Sequence, residues 1–519
     1  MIFRKIILTG TLAIALLACS KEKGIGQAEP FKEEAFHLFP KPVISPAASN
    51  GQQTGWVGDV MPYFVNGQFE IYFLHDAPDQ VKQSSAGQHP IHKFSSKNLL
   101  DFSYDGEVIP YGNKSTQDHL IGTGSMVKAG ELNYFYYTGH NSNNSWLQNN
   151  NPGWAEGNSR ETILYATSKD MASWTKKNGF ALKAPDGYSS NDFRDPYVFY
   201  NPEFSQYWML VSTQSSGKGV ILVYTSTDPA TDQWTLKGPL NVDSDYLMLE
   251  CADIFKLDNK YYLLFAEDWS NNPGTHYRVA NSTSGPWLKP ADGNDMFDGY
   301  QFYAGRSASN GTQRFAFGWA HRRNPENDGG SKTWGGNLIS HQIFRIGADK
   351  LGVKPPDAVN AYFAKSTDPQ EVSTSGTVSR AADGYVLTST SAKAQYTFDS
   401  INGTTQIKGS LSLANLTGTA GFGFNTQRNN NSSYVIKFEP ANKRIAAYNN
   451  GIEITRVPFN WEVGKPYQFN LVIDGSVAVL YLNDQVALSN RIYSLQSKSW
   501  SLFAENNVLT VNGLKTLTH

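Results

Sequence analysis

A chain of 519 residues is too long for one ordinary hydrophobic core, so at least two domains are expected. A formal net charge of −2, from 44 basic and 46 acidic residues, provides no field for nucleic acid, which is excluded as a partner. Aromatic residues make up 13% of the chain, enough for β-cores or sugar-stacking surfaces; no metal-ligand spacing, phosphate-binding glycine loop or dinucleotide fingerprint stands in a credible context, so neither metal nor cofactor is expected.

Residues 1–19 read as a targeting segment. Arg4 and Lys5 precede an apolar run over 6–17, too short for a comfortable membrane span, and the run ends in Leu16-Leu17-Ala18-Cys19. This ending resembles a bacterial lipobox, which implies that Cys19 becomes the lipidated first residue of the mature chain and anchors it to the membrane of the bacterial cell envelope. The alternative is an ordinary cleaved signal peptide. Residues 20–35 are polar and read as a tether. Only Cys251 then remains as a thiol, so no intrachain disulfide is expected.

Residues 36–353 carry five strand-like, aromatic-rich runs: 69–74 (FEIYFL), 133–139 (NYFYYTG), 206–212 (QYWMLVS), 261–267 (YYLLFAE) and 313–319 (QRFAFGW). With Phe73, Tyr137, Val211, Phe265 and Phe317 as equivalent marks, the gaps are 64, 74, 54 and 52 residues. Each gap holds four short strands and their loops, which predicts a five-bladed β-propeller. Asp59 lies 14 residues before Phe73, Asp195 lies 16 before Val211, and Glu250 lies 15 before Phe265. The strand that precedes a blade's middle strand is the inner one. The three acids are therefore expected to face the axis at one end and share a pocket.

Lys354-Pro355-Pro356-Asp357 breaks the pattern and marks a domain junction. Over 358–519 the chain stays β-rich, with hairpins at 444–457, turning at Asn450-Gly451, and at 469–482, turning at Asp474-Gly475. Alternating strands over this length predict a β-sandwich, which makes the whole chain all-β. It shows no acidic cluster and reads as a packing or accessory module, with sugar binding as the lesser alternative.

Clustered carboxylates suit glycoside hydrolysis. Retention of configuration needs one carboxylate to attack the anomeric carbon and one protonated carboxyl to assist the leaving oxygen. Burial and like charge supply the two protonation states. A third carboxylate favours the positive charge of the transition state. Asp253 and Asp268, also nearby, are expected to serve structural hydrogen bonds. Cys251 is expected to be a small buried neighbour of the acid.

Phe193-Arg194-Asp195-Pro196 and Glu250-Cys251-Ala252-Asp253 resemble two signature stretches of glycoside hydrolase family 32, the fructan hydrolases and invertases. The segment 120–141 looks like the family's second-blade segment, and Phe302-Tyr303-Ala304 with Phe317-Gly318-Trp319 looks like its fifth. The resemblance implies a five-bladed propeller followed by a β-sandwich, and a retaining hydrolase that acts on terminal β-fructofuranosyl residues of an oligo- or polysaccharide. It implies Asp59 as nucleophile, Glu250 as general acid and base, and Asp195 as transition-state stabiliser. Arg194 would orient carboxylates and contact sugar hydroxyls. Ser125 and Tyr303 are candidate pocket residues, and Trp56 and Trp334 are candidate walls against an apolar sugar face. The first signature departs from the family: where a typical member reads Trp-Met-Asn-Asp-Pro-Asn-Gly, this chain has Trp56-Val57-Gly58-Asp59-Val60-Met61-Pro62, and His75 stands where glutamine is usual. Both changes touch the expected sugar subsite, with His75 a candidate substrate-binding residue. Two alternatives stay open: a related five-bladed hydrolase of arabinose- or xylose-containing glycans, and a non-catalytic glycan-binding lipoprotein.

Overall fold

A computed structural model describes residues 36–43, 55–77, 88–143, 145–147, 160–381 and 383–519. The expected lipidation site Cys19 and the tether over 20–35 lie outside the described residues. Among the described residues, no helix is long and apolar enough to cross a membrane.

Five antiparallel blades follow one another in the chain. Their inner strands are Trp56–Val65, Leu120–Ala129, Arg194–Asn201, Glu250–Leu257 and Tyr303–Ser309. Each lies beside the next, and the fifth returns to the first. The apolar runs of the sequence sit in the second strands: Gln68–Asp76, Leu132–His140, Gln206–Ser215, Lys260–Glu267 and Arg314–Asn324. Such a strand is covered on both faces by neighbouring blades, so it reads as a continuous hydrophobic run rather than as an alternation. In blade one, Phe69, Ile71 and Phe73 join a core shared with blade five. Tyr72 and Leu74, from the opposite face, join the core shared with blade two. Asn66 and Gly67, both with positive φ (53° and 82°), close the hairpin between the first two strands of blade one.

The inner strands share a second feature. Near the end where each begins, the pairing with the second strand slips, so that two inner residues oppose one, or one residue is inserted. These β-bulges fall at Gly58-Asp59, Thr123, Asp195-Pro196, Cys251-Ala252 and Ala304-Gly305. Asp195 (φ 60°), Cys251 (φ 55°) and Ala304 (φ 52°) adopt the left-handed conformation, which turns adjoining side chains and carbonyls out of the sheet and towards the axis.

After blade five, a short helix, Asp357–Tyr362, leads into two packed sheets of eight and seven strands. Their shared core includes Phe398, Phe422, Phe438, Phe469, Leu480 and Trp500. The hairpin of Arg444–Asn449 and Ile452–Pro458 turns at Asn450-Gly451 as expected. The other hairpin turns one residue later than expected: Asp474 pairs with Val477, which leaves Gly475-Ser476 as the turn. The reason is that Asp474 has another task, its Oδ2 accepting the backbone N–H groups of His37, Leu38 and Phe39 at 2.7, 2.6 and 3.2 Å.

Propeller and sandwich meet through a continuous core, with Val472, Val479 and Tyr481 packing among Tyr277, Phe297, Ile339 and Ile343. A buried polar cluster fixes the register. Asp298 accepts from Ser489 N–H (2.8 Å) and Ser489 Oγ (2.5 Å) and lies 2.9 Å from His341 Nε2. Arg491 reaches the carbonyl of Ala320 and the side chain of Asn337. Such an interface resembles the interior of one domain more than a hinge.

Candidate active site

The bulges bring Asp59, Asp195 and Glu250 to one end of the axis. Asp59 is held on both oxygens: Thr123 Oγ1 donates to Oδ2 at 2.6 Å, and the indole N–H of Trp319 donates to Oδ1 at 3.2 Å. Asp195 is 3% exposed. Its Oδ2 accepts the Cys251 N–H at 3.0 Å, and its own N–H donates to Thr138 Oγ1 at 2.9 Å. Glu250 is gripped by two residues. Arg194 donates to Oε1 from Nε (3.1 Å) and from Nη2 (2.8 Å), while the Tyr303 hydroxyl donates to Oε2 at 2.9 Å. Arg194 is itself fixed from behind, because its Nη1 donates to Glu161 Oε2 (3.1 Å) and Asp192 Oδ1 (2.8 Å). The Glu250 side chain keeps 17% of its surface exposed, which leaves it within reach of a substrate.

Burial pushes the Asp195 carboxyl up to about 7; Arg194 opposes this, and the charges of Glu250 and Asp59 add to it. Glu250 also lies above the ordinary carboxylate range, again through burial, with Arg194 opposing and Asp59 contributing. Both shifts run in the same direction, towards carboxyls that keep a proton to higher pH than an exposed acid, as acid-assisted cleavage requires of its proton donor. Burial, reinforced by Asp59 and Asp195, drives the Cys251 thiol well above its usual range, so it stays neutral and is no nucleophile.

Arg194 and Tyr303 thus stand among the acids as expected. Trp334 stands beside them: its ring packs over Gly58, where a Cβ would come within 1.8 Å of the indole. It also stacks on His89 (4.4 Å between centroids) and meets Trp319 edge-on at 5.6 Å. The asparagine usual at position 58 has no room while Trp334 holds this place, so the sequence departure and the indole form one coupled feature. Asp253 and Asp268 serve structural bonds, Asp253 to the Ser307 N–H and Asp268 to Lys332.

Three expectations are corrected. Ser125 is fully buried, and its hydroxyl accepts the Val198 N–H at 2.7 Å, which ties blade two to blade three rather than facing a sugar. His75 is 2% exposed and stacks on His92 at 4.0 Å. Burial holds its ring at about 4, so it is a neutral core residue at physiological pH. Trp56 is buried with its ring against Lys41 (4.2 Å) and Arg322 (5.3 Å), and it presents no open face as a wall. The sequence reading missed Thr123, Thr138, Glu161 and Trp319. Thr123 and Thr138 both lie within the segment 120–141, but the bulge that turns Thr123 towards Asp59 leaves no trace in residue spacing.

Comparison with known proteins agrees with this geometry. Residues 52–355 match the glycosyl hydrolases family 32 N-terminal domain, and residues 347–516 match the GH32, BT1760-like, C-terminal domain. A raffinose invertase of Escherichia coli is 27% identical over 315 residues, covering 56% of this chain and 60% of that protein. A sucrose-6-phosphate hydrolase of the same organism is 27% identical over 283 residues, 51% of this chain and 54% of that one, so the chain spans little more than half the length of these curated relatives. In fold, the solved sucrose-6-phosphate hydrolase of Lactobacillus gasseri superposes with a TM-score of 0.68 at 17% identity, over 92% of this chain and 93% of that one. With both of its domains matched, and a propeller followed by a sandwich in space, this chain belongs to glycosyl hydrolase family 32.

Proposed function

We propose that the protein is a retaining O-glycosyl hydrolase that releases terminal β-fructofuranosyl residues from sucrose-like saccharides or fructans. The observation that carries this reading is the unequal treatment of the three acids. Asp59 is oriented by two neutral donors, Thr123 and Trp319, one on each oxygen, which suits a group that must attack from a fixed position. Glu250 is raised by burial and held by Arg194 and Tyr303, which suits a group that gives and regains a proton. Asp195 is fixed by backbone contacts, which suits a group that stays in place while positive charge develops beside it. In this mechanism Asp59 attacks the anomeric carbon as Glu250 protonates the leaving oxygen. Water activated by Glu250 then releases the sugar with its configuration retained.

The names of the curated relatives, an invertase and sucrose-6-phosphate hydrolases, support a fructofuranosyl substrate. Incubation with sucrose, raffinose, levan or inulin should release β-fructofuranose as the first anomer seen by NMR, whereas α-arabinofuranosides should stay intact. Activity confined to the arabinosides would overturn the sugar assignment, and tight binding without turnover on every substrate would overturn the enzymatic one.

We further propose that the chain is anchored in the bacterial cell envelope through a lipid on Cys19, a reading supported by the segment Leu16-Leu17-Ala18-Cys19. Expression in a bacterial host with a labelled fatty acid should label the wild type and place it in the membrane fraction. Cys19→Ala should lose the label and enter the soluble fraction; equal labelling of the two would end this assignment.

A further inference from the structure

The bulges leave three inner-strand carbonyls pointing into the axis, and one side chain meets all of them. Arg306, three residues after Tyr303 in blade five, is 2% exposed. Its Nη2 donates to the carbonyl of Asp195 (3.4 Å), its Nε to the carbonyl of Cys251 (3.2 Å), and its Nη1 to the carbonyl of Gly124. These oxygens belong to blades three, four and two. Two of them come from residues in the left-handed conformation, and the third lies beside the one-residue insertion at Thr123. A buried carbonyl without a donor is costly, so the bulges that aim the acids depend on a donor from the axis. A planar guanidinium, with donors diverging from one centre, can reach three strands at once; a lysine ammonium on a flexible stem has no such fixed fork.

Behind Arg306 lies a cavity of about 240 Å³ lined by Tyr63, Tyr197, Arg314 and Ser307 among others. Arg306 therefore stands between this space and the acids, its guanidinium 5.6 Å from the Tyr197 ring.

We propose that Arg306 is a positioning residue for hydrolysis, a single axial guanidinium that locks the bulged backbones carrying Asp59's partner Thr123, Asp195 and Glu250 into one mutual geometry. The proposal rests on the reading of these acids as catalytic. Arg306 touches no substrate atom and acts through the backbone and through its charge. Around Asp195 the charged and titratable groups are Arg194, Glu250, Asp59, Cys251 and Arg306. Arg306 and Arg194 are the cations among these groups, and both favour the ionised form of Asp195. Its removal raises the pH at which Asp195 ionises.

The experiment compares Arg306→Lys and Arg306→Gln with the wild type. Both variants should lose about 10²-fold in kcat with KM within about threefold, because the acids are displaced while the sugar pocket is kept. Arg306→Lys keeps the charge and should keep the acid limb of the kcat/KM profile. Arg306→Gln should move that limb up by about one pH unit. An activity-independent readout separates this proposal from the fructosidase reading. Asp195 is raised in the folded state, so its contribution to stability is full below about pH 4 and is lost as pH rises towards about 7. In Arg306→Gln that loss should extend about one unit higher, whatever the substrate. A wild type inactive on every fructoside, with this shift in Tm against pH still seen, defeats the function and leaves the role of Arg306 in setting the acids. Variants that melt earlier yet keep wild-type kcat and both pH profiles overturn the proposal and reduce Arg306 to a structural tie. Should Arg306→Gln not fold, Arg306→Lys decides, and a kcat within threefold of wild type overturns it.

Discussion

Asp59→Asn is expected to lower kcat/KM on sucrose or a fructan by at least about 10⁴-fold while the protein stays folded. The replacement is nearly isosteric. The amide oxygen of Asn can still accept from Thr123 or Trp319, so one of the two bonds that hold the side chain survives. Loss of the other costs about 1 kcal/mol, a fall in Tm of no more than about 4 °C in a protein of this size. What disappears is the negative oxygen that forms the bond to the anomeric carbon. The amide is too weak a nucleophile to replace it. Kinetics on sucrose and thermal melting on one sample distinguish the two effects. Undiminished turnover in a folded Asp59→Asn protein would remove Asp59 from its assigned role, and with it the retaining mechanism.

Neighbouring residues explain why some of this site was legible in sequence and some was not. The propeller was readable because each second strand is covered on both faces: 71–74 and 261–266 are apolar without alternation, and such runs survive any detail of loop length. The acids were readable because they occupy the same part of the inner strand in blades one, three and four. Their spacing to the second strand varies with the turn between, short at Asn66-Gly67 and longer where Asn201 and Gln206 bound it. Ser125 shows the limit of phase. One inserted residue at Thr123 reverses which face of the strand meets the axis, so the neighbour two positions earlier takes the place beside Asp59. Trp319 was out of reach for a different reason. It lies 260 residues from Asp59 and comes to it only when blade five closes against blade one. His75 occupies a motif position of the family, but sequence gives no account of His92, whose ring covers it. Asp474 was read as a turn former from its pairing with Gly475, whereas its carboxylate is taken by the backbone of 37–39.

Glu250→Gln is expected to produce a loss that depends on the leaving group, which distinguishes proton transfer from simple disruption. The glutamine oxygen can still accept from Arg194, so the side chain should remain in place between Arg194 and Tyr303. It has no proton to give. On sucrose, whose departing alkoxide must be protonated, kcat should fall by about 10³-fold. On a fructosyl fluoride, where fluoride departs without a proton, Asp59 can still attack and the fructosyl-enzyme should accumulate in a burst. Its hydrolysis would then be slow, because the water that attacks has lost its base. Azide needs no base: it should restore turnover and yield a fructosyl azide of retained configuration. The alkaline limb of the wild-type profile, set by loss of the Glu250 proton, should be absent from the azide-rescued variant. Burial raises the ionisation of Glu250, so in the wild type this limb should lie at higher pH than an ordinary glutamate would give. An equal loss on sucrose and on the fluoride, without azide rescue, would mean that Glu250 shapes the pocket through Arg194 and that the proton comes from elsewhere, with Asp195, raised to about 7, as the alternative donor.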